Sequence, residues 1–361
     1  MSKICFILGT RPEIIKMYST IKLAQKQGLD FFIIHSNQHY DAKMDQVFFE
    51  ELEIPAPKYN LNIGSGKHGE MTGKMLVEIE KILLAELPNV ALVQGDTNTV
   101  LAGALASSKI LGIKIGHIEA GLRSYNREMP EEINRILTDH VSDFLFAPTE
   151  KQAEILKSEG IEKEKIFVVG NTIVDAVLNC RTLAKKTDIL EKIEQEVQTK
   201  IDNYVLLTCH RPSNTDSLAN FTAILEAAQT ICETKNCYCI FPMHPRLRSQ
   251  LSFVQTFDRI KVIEPVGFLE MLNLEMNSSM ILTDSGGIQE ESCILEKKCV
   301  ILRTDTERPE TVEVGGAILV TEITKKEIID KSEILDNKKV NWSNPFGDGL
   351  IANKILEICQ F

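Results

Sequence analysis

The stretch MILTDSGGIQEE, residues 280–291, contains the step that decides the fold. Met280–Leu282 is a short run of apolar residues, and Gly286 and Gly287 follow where a helical pattern begins. A wholly apolar run of this length is typical of a strand that is buried on both faces of a parallel sheet. The stretch therefore predicts a strand, a glycine turn and a helix in succession.

The same succession recurs along the whole chain. Helical patterns such as Pro12–Gln27, Ala42–Leu52 and Leu218–Cys232 separate the apolar runs. The runs that predict strands are Lys3–Leu8, Phe31–His35, Val90–Val93, Ile113–Ile118, Phe144–Phe146, Ile166–Val169, Tyr204–Thr208, Tyr238–Phe241, Ile260–Ile263, Met280–Leu282, Cys299–Leu302 and Ile318–Val320. This alternation predicts an α/β protein built from doubly wound, Rossmann-like sheets.

The length of the chain predicts more than one domain. A chain of 361 residues, 43% of them hydrophobic, exceeds the roughly 250–300 residues at which single cores stop growing. We place an N-terminal Rossmann-like domain at 1–170 and a nucleotide-binding Rossmann-like domain at 171–345. Residues 346–361 should form a helix that packs back on the first domain. The two domains should face a central cleft.

Composition narrows the class of protein. A formal net charge of −11 disfavours nucleic-acid binding through a basic face. No run approaches the roughly 20 apolar residues of a membrane span, and the first apolar run is too short for a signal peptide. The nine cysteines form no Cys-x-x-Cys pair, which is typical of reduced thiols in a cytoplasmic protein. We expect no metal and no cofactor.

Polar clusters follow the ends of the predicted strands. They are GTRPE (9–13), QGDT (94–97), HIEAGLR (117–123), CHR (209–211), HP (244–245) and DSGG (284–287). The carboxyl ends of parallel strands meet at one edge of a sheet, so these clusters predict an active site there.

Four acidic residues are candidates for proton transfer: Asp96, Glu119, Glu131 and Glu132. Asp96 and Glu119 follow neighbouring predicted strands, and two carboxylates in one pocket can divide the roles of acid and base. For the two glutamates at the start of the helix, the alternative is that acidic residues simply favour the first turn. His210 and His244 are candidate proton carriers or phosphate ligands, or core histidines.

The glycine turn at 284–287 predicts an anion site. Backbone N–H groups at Gly286 and Gly287 can approach a phosphate at the positive end of a helix. Glu291 could then accept hydrogen bonds from a ribose diol, and Arg308 could clamp a phosphate. The alternatives are an ordinary turn capped by Asp284 or Ser285 and a surface salt-bridge cluster around Arg308. Arg11 and Lys16 form a second anion-binding candidate.

Together these motifs resemble the non-hydrolysing UDP-N-acetylglucosamine 2-epimerase family. The strings that carry the resemblance are GTRPE (9–13), QHYD (38–41), QGDTNT (94–99), HIEAGLRS (117–124), PEEINR (130–135), GNTIVD (170–175), CHR (209–211), DSGGIQEE (284–291), ERPE (307–310) and NPFGDG (344–349). The resemblance implies a glycosyltransferase-B-like fold that holds the nucleotide mainly in the second domain. It also implies elimination of UDP to a glycal, followed by re-addition with the proton on the opposite face.

The resemblance assigns roles to residues of this chain. The catalytic set is Asp96, Glu119, Glu131 and His210. The residues that hold or stabilise UDP are Arg11, Lys16, Arg135, His210, Ser285, Gly286, Gly287, Glu291 and Arg308. The partner is a UDP-sugar, and we expect a homodimer.

Two departures from the family pattern concern regulation and the sugar. Bacterial members carry an arginine where this chain has Tyr40, and Gly64–Gly69 replaces a segment that contacts a substrate activator. The regulatory-pocket candidates here are Gln38, His39, Arg211 and His244. The loop Ser124–Met129 resembles that of epimerases acting on UDP-2,3-diacetamido-glucuronate. Three hypotheses stay open: epimerisation of UDP-N-acetylglucosamine, the same chemistry on a modified UDP-sugar, and a nucleotide-sugar glycosyltransferase or sensor.

Overall fold

The computed structural model describes residues 2–37 and 48–360, which form two compact units. The first unit comprises the chain up to Asn179 together with Phe346–Phe361, and the second comprises Cys180–Pro345. The division falls inside helix α6 (Thr172–Ala184) rather than near residue 170. Asp175 of this helix accepts the backbone N–H groups of Ile351 and Ala352 at 3.2 and 2.8 Å, which joins the start of α6 to the last helix of the chain.

The first unit contains a seven-stranded parallel sheet in the order β3-β2-β1-β4-β5-β6-β7. Its strands are β1 Ile4–Leu8, β2 Phe31–His35, β3 Tyr59–Asn60, β4 Val90–Gln94, β5 Lys114–Ile118, β6 Phe144–Ala147 and β7 Ile166–Val168. The helices of this unit, besides α6, are α1 Arg11–Lys26, α2 His68–Glu86, α3 Asn98–Ser107, α4 Pro130–Val141, α5 Glu150–Ser158 and α15 Ile351–Cys359, with a 3₁₀ turn at Lys163–Lys165. Residues 48–51 are also helical.

The second unit contains a six-stranded parallel sheet in the order β10-β9-β8-β11-β12-β13. Its strands are β8 Tyr204–Thr208, β9 Tyr238–Pro242, β10 Ile260–Ile263, β11 Met280–Thr283, β12 Cys299–Ile301 and β13 Ala317–Leu319. Its helices are α7 Ile189–Val197, α8 Pro212–Thr215, α9 Leu218–Thr234, α10 Leu251–Val254, α11 Phe268–Asn277, α12 Gly286–Ile294, α13 Pro309–Glu313 and α14 Lys325–Asp336, with a 3₁₀ turn at Pro245–Gln250.

Each sheet is covered by helices and carries its core on both faces. Strands β1, β4 and β8 are buried along their whole length, as their apolar sequences predict. All nine cysteines are buried free thiols. None of the helices at 2–37 and 48–360 combines the length and apolar character that a membrane crossing needs. The predicted helix Ala42–Leu52 lies largely outside the described residues, and β3 is a two-residue strand that the sequence did not indicate.

Candidate active site

In both sheets the polar clusters lie where the strand order changes direction. In the first unit β1 pairs with β2 on one side and with β4 on the other. The chain therefore continues in opposite directions across the sheet after β1 and after β4. In the second unit β8 and β11 have the same relationship. Ligands of open α/β sheets bind in the crevice outside such a pair of strand ends. GTRPE and QGDT follow one pair, and CHR and DSGG follow the other.

The carboxylate of Asp96 is held by helix α4. Its Oδ2 forms an ion pair with Arg135, and its backbone carbonyl accepts a hydrogen bond from Asn134 Nδ2 at 2.9 Å. The preceding Gly95 has φ of +85°, a left-handed conformation that favours glycine. Asp96 therefore leaves the end of β4 in a fixed direction.

Glu119 follows the neighbouring strand β5, whose Ile118 lies opposite Gln94 of β4. Its Oε1 is 2.6 Å from Lys16 Nζ of helix α1, and Gln94 Nε2 donates to its other oxygen. Glu119 has φ of +76°, which is uncommon for a residue other than glycine and marks a locally strained turn. The two carboxylates that the sequence predicts to be neighbours thus follow adjacent strands, and each is paired with a cation.

A third acid of this unit, Glu13, is one that the sequence did not single out. It lies in the first turn of α1 and is buried, with Oε2 2.5 Å from the backbone nitrogen of Gly9 and Oε1 3.1 Å from Thr10 Oγ1. Burial raises the pKa of Glu13 most, the hydrogen bonds from Thr97 and Gly9 lower it, and the charge of Asp96 raises it. The net result is a pKa of about 7. Glu13 is therefore a carboxyl that can exchange a proton near neutrality.

The two glutamates at the start of α4 differ in their surroundings. Glu132 is buried and accepts hydrogen bonds from the backbone nitrogens of Ser124 and Tyr125, both at 2.9 Å. Burial alone would raise the pKa of Glu132, but these hydrogen bonds outweigh it and lower the pKa. Glu131 is half-buried, and its carboxylate makes no hydrogen bond to the described residues. Glu132 thus builds the loop before α4, and Glu131 keeps its carboxylate available.

Arg11 lies at the start of α1. Its guanidinium carbon is 6.0 Å from the centre of the Phe48 ring, within the range of a cation–π contact. Arg11, Lys16 and Arg135 therefore all occur in the unit that carries Asp96, although Lys16 and Arg135 form ion pairs with the candidate acids.

In the second unit, Asp284 organises the loop that follows β8. Its buried carboxylate accepts the backbone N–H groups of His210 and Arg211 and the Nδ2 of Asn214, at 3.0–3.1 Å. Burial raises the pKa of Asp284, but the hydrogen bonds from His210, Arg211 and Asn214 lower it to about 2. Asp284 is thus an ionised acceptor that fixes His210, and the cap that the sequence offered as an alternative is not its role.

A cavity of about 350 Å³ opens beside this loop. The rings of His210 and His244 stack at its rim, with centroids 6.2 Å apart and planes 27° apart. His210 Nδ1 is 3.1 Å from Asp284 Oδ1. The remaining lining is mostly apolar and consists of Thr208, Cys209, Pro242, Pro265, Val266, Met271, Ser285 and Ile288. A mostly apolar cavity with a few polar groups at one edge is typical of a small-ligand site.

The glycine turn lies directly beneath Arg308. A Cβ on Gly286 would come within 3.2 Å of the Arg308 guanidinium carbon, so the arginine packs against bare backbone. Arg308 Nε is 3.1 Å from Glu290, and its Nη1 is 3.5 Å from Glu307. The guanidinium, the two glycines and the N-terminus of α12 together form a positively polarised cradle.

Glu291 of α12 lies beside Gly287 and next to a second buried acid, Glu275 of α11. A Cβ on Gly287 would be 3.7 Å from Glu291 Oε1. Glu275 is fully buried, and neither of its oxygens receives a hydrogen bond from a donor group of the described residues. Burial raises the pKa of Glu275 well above its ordinary value. The negative charge of Glu291 and a hydrogen bond that protonated Glu275 donates to Glu291 act in the same direction. No local signal in the sequence identifies Glu275, because its burial depends on packing between helices.

Two of the four regulatory-pocket candidates, Gln38 and His39, lie outside the described residues. The other two are placed by the second unit. Arg211 Nε donates to the backbone carbonyl of Asp284 at 3.1 Å, and His244 stacks on His210. Within 2–37 and 48–360 no group of three or more His, Cys, Asp or Glu side chains could hold a metal ion.

Comparison with known proteins points to one family. The family model for UDP-N-acetylglucosamine 2-epimerase matches residues 21–360. The chain is 54% identical over 365 residues to a UDP-N-acetylglucosamine 2-epimerase of Methanocaldococcus jannaschii, with 99% of each covered. It is 46% identical to a UDP-2,3-diacetamido-2,3-dideoxy-D-glucuronate 2-epimerase of Pseudomonas aeruginosa, with 98% of each covered.

Solved structures agree with this. A Methanocaldococcus jannaschii UDP-GlcNAc 2-epimerase in complex with UDP-GlcNAc and UDP has a TM-score of 0.85 and 55% identity, with 99% of each chain covered. A glycosyltransferase from Rickettsia africae has a TM-score of 0.61 at 14% identity, covering 99% of this chain and 97% of its own, and shares the fold alone. The predicted glycosyltransferase-B-like α/β fold is confirmed.

Proposed function

Because the chain belongs to the UDP-N-acetylglucosamine 2-epimerase family, we propose that it interconverts UDP-N-acetylglucosamine and UDP-N-acetylmannosamine. The observation that carries the proposal is the placement of Asp96 and Glu119 after adjacent strands of one sheet, each paired with a cation. Two carboxylates at one sheet edge are suited to moving a proton to and from the same carbon.

The reaction divides into an elimination and its reverse. A carboxylate removes the proton from carbon 2 while the bond between carbon 1 and the UDP oxygen breaks. The electrons of the carbon–hydrogen bond form the double bond of a glycal, and UDP leaves with the electrons of the bond to oxygen. UDP then adds back to carbon 1 as carbon 2 takes a proton on the opposite face. No atom is gained or lost, and no oxidant is required.

In this mechanism Asp96, Glu119 and Glu131 move the proton. Lys16 and Arg135 hold two of these carboxylates in place through their ion pairs. The carboxylate of Glu131, which makes no hydrogen bond to the described residues, supports its assignment to the reacting set. Arg11 adds a further cation in the same unit.

The second unit holds UDP in the same proposal. The N–H groups at Ser285, Gly286 and Gly287 and the Arg308 guanidinium receive the pyrophosphate. Glu291 accepts from the ribose hydroxyls. His210, fixed by the ionised Asp284, contacts the phosphate and relays a proton.

A second candidate substrate is supported by the sequence of one loop. Ser124–Met129 resembles the loop of epimerases that act on UDP-2,3-diacetamido-glucuronate, and the Pseudomonas aeruginosa relative has that activity in its name. Glu132 fixes this loop through Ser124 and Tyr125. The chemistry at carbon 2 would be unchanged, and only the substituents at carbons 3 and 6 would differ.

One experiment tests the reaction and separates the candidates. UDP-N-acetylglucosamine is incubated with the protein in deuterium oxide and followed by proton NMR. We expect deuterium at carbon 2 and the appearance of the manno isomer. If only the 3-acetamido uronate turned over, the second candidate would replace the first. Net loss of the UDP-sugar in the presence of an acceptor would indicate a transferase, and binding of UDP without turnover would indicate a sensor.

We propose a cytoplasmic homodimer that supplies polysaccharide biosynthesis. Nine buried free thiols support a reducing compartment. Sedimentation equilibrium measures the mass of the assembly directly.

Activation by substrate through Arg211 and His244 is a separate proposal. Initial rates that depend sigmoidally on substrate concentration in the native protein, and hyperbolically in Arg211→Ala, would support it.

A further inference from the structure

Behind the strand end that carries Asp96 lies a buried cluster of charged side chains. His117 Nδ1 is 2.6 Å from Asp139 Oδ1, and Arg123 Nη1 is 2.8 Å from Asp139 Oδ2. Arg123 also donates to both oxygens of Glu159, at 2.8 and 2.5 Å. The side chains of His117 and Asp139 are fully inaccessible.

The partners of the two ring nitrogens fix the charge of His117. Its Nε2 is 2.8 Å from the backbone carbonyl oxygen of Gly95, which has no hydrogen to donate. Asp139 accepts from Arg123 and from the backbone nitrogen of Gly121, so its carboxylate is ionised and acts as an acceptor on the Nδ1 side as well. Both ring nitrogens must therefore carry a proton, which is true only of the imidazolium cation.

The charge balance of the cluster leads to the same result. Arg123 and a cationic His117 supply two positive charges, and Asp139 and Glu159 supply two negative ones. With a cationic His117 the four side chains are neutral as a group, whereas a neutral His117 would leave them with one net negative charge.

The Nε2–H group of His117 donates to the carbonyl of Gly95, which belongs to the peptide group between Gly95 and Asp96. The backbone nitrogen of Gly95 donates to the carbonyl of Ile118 at 3.1 Å, and its carbonyl accepts from His117. The two peptide groups that flank Gly95 are therefore each held by a hydrogen bond, at a residue whose φ of +85° sets the direction of the chain.

We propose that His117 is an imidazolium cation that positions Asp96 through the Gly95 carbonyl. The positional part rests on the proposed function, in which Asp96 moves a proton at carbon 2. His117 itself touches no substrate in this scheme and is a positioning residue.

The charge is tested on the native protein at neutral pH. The chain is produced with ¹⁵N-labelled histidine, and long-range proton–nitrogen correlations are recorded for the imidazole rings. The His117 signals are assigned by replacing the seven histidines one at a time. We expect two nearly equal ring ¹⁵N frequencies, as in an imidazolium. Two widely separated frequencies, as in a neutral tautomer, would overturn the proposal.

The positioning role is tested by His117→Gln, which retains a donor for one partner but not for both. The exposed His140 on the same helix as Asp139 provides the matched control, His140→Gln. We expect kcat for carbon-2 exchange to fall at least about tenfold in His117→Gln, with the Kd for UDP within about twofold and the control unchanged. Unchanged kcat, or an equal loss of UDP affinity, would contradict the role. If the variant fails to fold, the NMR result decides. Absence of exchange in the native protein would instead refute the proposed function and leave the charge assignment standing.

Discussion

The pair Glu275–Glu291 makes a prediction that can be worked out in magnitude. In the unfolded chain both carboxyls ionise near the ordinary glutamate pKa of 4.5. In the folded chain burial raises the pKa of Glu275 well above that value. Between pH 4.5 and the folded pKa the folded chain therefore binds more protons than the unfolded chain. Over that range stability falls by at most about 1.4 kcal/mol for each pH unit.

Glu275→Gln removes this cost, because the amide is neutral and can still donate to Glu291. We expect the variant to be more stable than the native protein at pH 7, with a gain that grows by at most about 1.4 kcal/mol per pH unit between 4.5 and the folded pKa. Each kcal/mol corresponds to a rise of roughly 2–4 °C in the melting temperature for a unit of this size. The sign follows from the raised folded pKa: the contribution of Glu275 to stability is fully present below about pH 4.5 and is lost as the pH rises toward the folded pKa.

Differential scanning calorimetry at a series of pH values from about 5 to 8 measures the effect. Glu322→Gln, at an exposed position of the same unit, provides the control and should follow the native protein throughout. The difference between Glu275→Gln and the native protein should shrink as the pH falls. A variant that melts at or below the native temperature at pH 7, or a difference that does not change with pH, would refute a retained proton.

Further expectations concern the site residues. Asp96→Asn and Glu119→Gln should lower turnover by at least about 100-fold while the Kd for UDP in calorimetry stays near native. Glu131→Gln should do the same, whereas a lower melting temperature with activity preserved would mean that Glu131 only stabilises the start of α4. Arg308→Ala should weaken UDP binding about ten- to hundredfold, and an unchanged Kd in calorimetry would remove it from the nucleotide site. Burial raises the pKa of Glu13 to about 7. Between about pH 4.5 and 7 the melting temperature of the native protein should therefore fall relative to that of Glu13→Gln, and above pH 7 the two melting curves should run parallel. Melting temperatures that run parallel over the whole pH range would contradict a raised pKa of Glu13.

The elements that the sequence predicts well are those with a local cause. A run such as Tyr204–Thr208 is apolar on both sides of the strand, and this pattern alone indicates a buried parallel strand. Strand β3 has only two residues, too few to show any periodicity. The strand order involves pairing between distant segments, and the right-handed connections of alternating strands and helices only restrict it to few arrangements.

The site could be predicted only in part, because several of its acids have roles that depend on distant residues. Asp284 precedes a helix and matches the pattern of a cap, yet it accepts hydrogen bonds from a loop 70 to 74 residues earlier in the chain. Glu13 in GTRPE matches an ordinary first-turn acid, yet it is buried and receives a hydrogen bond from Thr97, which is distant in the sequence. In each case the sequence shows the type and position of the acid but not the residues that form hydrogen bonds to it.

The buried acids divide into two groups by the direction in which their surroundings shift the pKa. Asp284 and Glu132 accept several backbone N–H groups, remain ionised and build loops. Glu13 and Glu275 have a raised pKa because burial outweighs their hydrogen bonds, and each lies beside an assigned site carboxylate, Asp96 or Glu291. If both members of either pair were ionised, two adjacent negative charges would oppose the binding of a pyrophosphate. A proton on the buried member leaves the site carboxylate charged for its own role and removes the second charge. Protonation of the buried member therefore lowers the negative charge beside each assigned carboxylate.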